Sequence, residues 1–177
     1  MECAVCGLTL IRGTCPLHGI GAHQVEPIES VRRRPVASVR RITDLSLVAG
    51  VSTTMNFLSS AEVDDTDGMW IPSATTSQLT AKTSGYYLLC GSASFAANAT
   101  GTRSVWVEVA DMTVAKTQMQ GHAGSNNVLS TSGVALIQAG DAITLVVLSI
   151  SAALDCLAGS GSSHAAPRLS AALLRYP

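Results

Sequence analysis

From Ile42 onward, apolar and polar residues alternate in short runs separated by turn residues, and a period of two predicts strands. Ile42–Val51 alternates loosely and reads as a first strand, Thr53–Leu58 as a second. Asp64–Thr76 reads as a loop, and Gln78–Ala81 as a short strand. Gly85–Ala97 is a long strand with Tyr87, Leu89, Gly91, Ala93 and Phe95 on one face and Cys90 on the other. Arg103–Val109 alternates most clearly, with Val105, Val107 and Val109 opposite Trp106 and Glu108. Thr113–Gln120 follows a turn at Asp111. Val128–Gln138 and Ala142–Ser151 flank Ala139-Gly140-Asp141, a hairpin signal. Gly159–Ser163 is a loop, and Pro167–Tyr176 closes the chain. About eight to ten strands with frequent turns mean an all-β sandwich or barrel.

Ahead of this lie two segments of different character. Residues 20–41 hold two prolines and five arginines without a sustained period, which reads as an extended arm or linker. Residues 1–19 hold Cys3 and Cys6 in a C-x2-C knuckle, then Cys15 and His18 in a C-x2-H knuckle. Each pair sits beside a turn residue, Gly7 or Pro16 and Gly19. Four ligands of these types suit a tetrahedral Zn2+ site, which with no open position would be structural. His23 is an alternative fourth ligand.

Composition sharpens the picture. Apolar residues make up 47% of the 177 and charged residues only 13%, against about 25% charged in an ordinary chain. So little charge points to surface buried between subunits. The net charge of −1 hides an asymmetry: residues 1–41 carry six Arg against three acids, residues 42–177 five basic residues against nine acids. The basic excess therefore belongs to the N-terminal segment. Arg32, Arg33, Arg34, Arg40 and Arg41 are its anchor candidates, for an acidic protein surface or, in an alternative reading, for phosphates. No aromatic residue lies nearby to stack on bases, which favours the protein partner.

Met1-Glu2-Cys3 does not open a signal peptide, and no apolar run reaches the ~18 residues that span a bilayer. Synthesis in a cytosol fits reduced or metal-bound cysteines. Cys90 and Cys156 sit in apolar strands, where buried inert thiols are expected. Asp64, Asp65 and Asp67 in DDTDG suggest a calcium loop, but Thr75 stands where an EF-hand needs Glu; the other reading is a turn built on Asp side chains. Ser160 lies in no nucleophile elbow. The chain is therefore expected not to be an enzyme. Trp106, opposite the valine face, and Trp70 are candidate surface-contact residues.

The order of Asp65-Thr66-Asp67-Gly68-Met69, the Leu79–Tyr87 segment, Ser94–Asn98 and Gln138-Ala139-Gly140-Asp141 resembles the C1q/TNF-like jelly roll, in the version found in bacteriophage fibre and virion proteins. The resemblance runs over about 130 residues, from Leu45 to Leu174. It implies a ten-strand jelly-roll sandwich over 42–177 that forms a homotrimer. It also implies a virion structural role, as a minor tail, tail-tip or head-fibre protein or a capsid decoration. The module of 1–19 and the arm of 20–41 would then join other virion proteins, and outer loops would contact a host-surface glycan or protein. Low aromatic content in the second half departs from cellular C1q domains. Two alternatives stay open: a zinc-knuckle nucleic-acid-binding regulator, and a soluble TNF/C1q-like ligand.

Overall fold

The computed structural model describes residues 34–58, 62–72, 76–158 and 166–177. Among them there is no helix, and twelve strands form two antiparallel sheets. The first sheet has seven strands. Its centre is β6 (Gly85–Phe95), flanked by β9 (Asn127–Ile137) on one side and β12 (Arg168–Arg175) on the other. β1 (Val36–Arg40) and β4 (Glu62–Asp65) continue beyond β12, while β11 (Leu154–Cys156) and β2 (Leu45–Leu47) extend the sheet from the Phe95 end of β6. The second sheet runs β3 (Thr53–Thr54), β10 (Ala142–Ser149), β7 (Thr102–Val109), β8 (Met112–Gln120), with β5 (Gln78–Thr80) also on β10.

The alternation read from the sequence is the one that builds the core. Tyr87, Leu89, Ala93 and Phe95 point inward from β6 and meet Val105 and Val107 of β7 and Leu145 and Val147 of β10. Leu169 and Leu173 of β12 and Ala37 and Val39 of β1 complete that layer. Val105, Val107, Leu145, Val147 and Leu173 all belong to this one core. The β7–β8 hairpin turns on Ala110 and Asp111, both left-handed at φ 47° and 64°, as a two-residue type I′ turn demands.

Three expectations about boundaries change. Residues 36–40, assigned to the arm, form β1, a strand inside the sheet between β12 and β4. The compact unit accordingly starts at Arg34 and not at Ile42. The expected Asp64–Thr76 loop opens on a strand, because Asp64 and Asp65 pair with Ser38 and Ala37. The expected single strand Ile42–Val51 is reduced to Leu45–Leu47, since Thr43 and Asp44 turn to meet the side chain of Arg41.

Candidate assembly face

The outward face of the seven-stranded sheet can be assembled row by row from the ladder registers. One row carries Leu136 and Tyr86, and the next Val134, Leu88, Ala172 and Val36. Then the character changes. The following row is Ser132, Cys90, Ser170, Ser38 and Asp64, and the last is Ser130, Ser92, Arg168 and Arg40. The face is thus divided across its strands into an apolar end and a hydroxyl-rich, charged end.

The apolar end is uncovered by the described residues. Val134 is 55% exposed, Leu136 48% and Leu88 38%, with Val36 and Leu174 close to that. The guanidinium of Arg175 stacks 4.4 Å from the Tyr86 ring centroid and borders the patch. Contiguous apolar exposure rimmed by polar groups marks an interaction surface, where scattered apolar residues would not. At the other end the Ser38 and Ser170 hydroxyls bond each other at 2.8 Å. No group of three or more His, Cys, Asp or Glu placed to hold a metal ion occurs among the described residues.

The sequence-derived site residues distribute as follows. Cys3, Cys6, Cys15, His18, Arg32 and Arg33 lie outside the described residues. Arg34 donates to the Leu174 carbonyl at 2.5 Å, tying the start of the fold to its last strand. Arg40 ends β1 on the outward face. Arg41, expected to reach a partner, is instead 6% exposed and donates to the carbonyls of Thr43, Asn56 and Asp44. Burial lowers its pKa, against the opposing pull of Cys156 and Asp44. Its reach is spent on three backbone acceptors, so it is a clip for the segment after β1.

Both tryptophans expected at the surface are nearly buried. Trp106 does lie opposite the valine face, yet it is only 8% exposed. Its Nε1 donates to Glu108 Oε1 at 2.6 Å, and Lys116 Nζ sits 4.8 Å over its ring. Trp70 is 9% exposed and its backbone N–H is held by Asp65 Oδ2. Asp65 also accepts from Asp67 N–H, so DDTDG works as a turn that bonds its own backbone.

The two described cysteines part company. Cys156 is buried, and desolvation pushes its thiol up to about 12. Cys90, expected to be buried, is exposed on the outward face because β6 alternates and its inward neighbours are Leu89 and Gly91. His122 is exposed and its Nδ1 accepts from Gly124 N–H. The features sequence reasoning missed are the apolar and hydroxyl rows; their residues are scattered over five strands and meet only through the registers.

No protein-family model and no curated protein matches the chain. Solved structures do. The crystal structure of murine APRIL at pH 5.0 superposes with a TM-score of 0.60 at 16% identity, over 80% of this chain and 100% of that one. Eiger TNF from S. frugiperda superposes with a TM-score of 0.58 at 11% identity, over 82% and 96%. At these identities the likeness is one of fold: the described residues from Arg34 onward adopt a TNF-like jelly-roll sandwich.

Proposed function

We propose that this chain is a bacteriophage virion structural protein whose jelly roll forms a homotrimer displayed on the particle. The observation that carries the self-assembly is the uncovered apolar end of the seven-stranded sheet. Fully burying an exposed side chain of this size stabilises by about 1.5–3 kcal/mol; Leu88 and Val134 are already partly covered, so each adds roughly 1 kcal/mol, and several per copy add up across closed contacts. Closed rotational symmetry also leaves no sticky face over. Placement on a virion, on the tail or the head, is supported by the resemblance of the signal order in the sequence. In this reading the role is display and attachment, without catalysis. The N-terminal segment joins a neighbouring virion protein, with Cys3, Cys6, Cys15 and His18 holding a structural Zn2+ and Arg32 and Arg33 meeting an acidic surface.

The test uses two truncations. Removing residues 1–33 leaves the folded assembly and abolishes its incorporation into particles. Removing 1–41 also takes away β1 and the Arg41 clip, and destroys the fold. Normal incorporation of the 1–33 truncation refutes the anchor. Metal analysis of the full chain reads about one zinc per copy, and none after Cys3→Ser with Cys6→Ser. A second reading, a soluble TNF-like ligand, draws on the fold shared with APRIL and Eiger TNF. Absence of the chain from purified particles favours it over the first.

A further inference from the structure

A groove of about 690 Å3 lies over the hydroxyl-rich end of the assembly sheet. Its floor is Cys90 and Ser92 of β6, with Ser130 and Ser132 of β9 on one side and Arg168 and Ser170 of β12 on the other. The Val114–Thr117 segment of β8 forms a wall. That wall stands where the two sheets meet edge to edge. At Gly133 the seam is tight, since a Cβ there would lie 3.1 Å from both Ala115 Cβ and Val114 Cγ1.

The chemistry of this groove differs from that of the apolar rows beside it. The cores of protein–protein contacts are depleted in charge and rich in aromatics. Here there is no aromatic ring; four serines and two threonines accompany the Arg168 guanidinium and Lys116, whose ammonium is held over the Trp106 ring. The volume falls in the range of small-molecule sites. Outward serines recur at every second residue on strands about 4.8 Å apart, so their hydroxyls form a grid of donors and acceptors. Arg168 is exposed, and its guanidinium has no hydrogen bond or ion pair among the described residues. Arg40 stands directly opposite it in the ladder. A planar guanidinium in that setting selects a carboxylate, which it binds through two parallel N–H···O bonds.

We infer that the groove binds a saccharide bearing a carboxylate. Arg168 takes the carboxylate, and Ser92, Ser130 and Ser132 take ring hydroxyls. The inference deepens the display reading by naming a ligand class for the displayed module, but the binding itself needs no particle. Cys90 supplies a built-in reporter at the groove floor.

Titrating the full-length protein with glucuronate, with glucose as the uncharged control, tests this. Saturating glucuronate slows alkylation of Cys90, mapped by peptide mass, and glucose at the same concentration does not. Arg168→Ala weakens glucuronate binding by about tenfold or more, the loss expected for a hydrogen bond to a charged group, and leaves the native mass unchanged. Arg168→Lys retains part of the binding, as a point charge without the fork. Equal protection by glucose and glucuronate, or binding unaffected by Arg168→Ala, overturns the assignment. If Cys90 resists alkylation without ligand and Arg168→Ala lowers the native mass, a second copy covers the groove. That outcome also overturns the saccharide site while supporting the assembly.

Discussion

Gly101 joins the β6–β7 loop to the first residue of β7 at a left-handed φ of 74°, and an added Cβ would lie 1.9 Å from the Ile150 carbonyl oxygen. The shortest ordinary C···O contact is about 3.3 Å, so Gly101→Ala requires a relative shift of roughly 1.4 Å. Nothing near it is free to yield. Ile150 N–H bonds the Thr102 carbonyl at 2.8 Å, and Gly121 N–H bonds the Gly101 carbonyl at 2.8 Å. The left-handed backbone costs a Cβ-bearing residue about 1–2 kcal/mol, and relieving the overlap adds about 1–3 kcal/mol. The expected loss is therefore roughly 2–5 kcal/mol, a large part of the ~5–15 kcal/mol that holds a typical domain. Gly50 provides the internal control. Its φ is 75°, yet a Cβ there meets nothing within 4 Å, so Gly50→Ala loses only the backbone share, about 1–2 kcal/mol. Urea unfolding of both full-length variants at one protein concentration measures the difference. If Gly101→Ala and Gly50→Ala prove equally stable, the packing of the β6–β7 loop against the end of β10 is wrong.

Two further outcomes concern buried groups. Arg41→Ala leaves the carbonyls of Thr43, Asn56 and Asp44 without their donor, and about 1–3 kcal/mol per stranded group makes a loss of about 3 kcal/mol or more in urea unfolding; a loss under about 1 kcal/mol contradicts the clip. Cys156 has its thiol raised from 9.0 to about 12 by burial. An acid with a raised folded pKa keeps its proton while the unfolded chain loses it, so stability falls as pH rises above 9 toward 12. The limiting slope is about 1.4 kcal/mol per pH unit. Tyr87, raised chiefly by burial, pulls in the same direction at higher pH. Urea midpoints between pH 8 and 10 should therefore drop more for the wild type than for Cys156→Ala, and parallel curves would refute the buried thiol.

The long elements were legible because their alternation is self-announcing. β6, β7 and the β9–β10 hairpin each carry enough inward residues, from Tyr87 to Phe95 or from Val105 to Val109, to declare a period of two. Their turn residues agree with them. β1 was hidden for a physical reason. It offers only Ala37 and Val39 to the core, follows three arginines and a proline, and gains its stability from β12, with Val36 opposite Ala172 at the far end of the chain. β4 and β11 are short in the same way and depend on partners distant in sequence. Arg41 reads as one more charge in a basic run, and only the turn at Thr43–Asp44 shows that its donors are consumed locally. The alternation places Trp106 on the correct face of its strand. Its burial depends on Lys116 and Glu108 closing over it, which parity does not encode. The outward rows are the extreme case, since Leu88, Val134 and Val36 become neighbours only after three registers are fixed.

The native mass of the purified full-length protein by light scattering tests self-assembly through the apolar rows most directly. A mass three times the 18.2 kDa chain, falling to that of one chain in Leu88→Glu and in Val134→Glu with the fold retained by circular dichroism, is the expected result. A wild-type protein that stays a monomer at micromolar concentration, or variants that stay assembled, would contradict it.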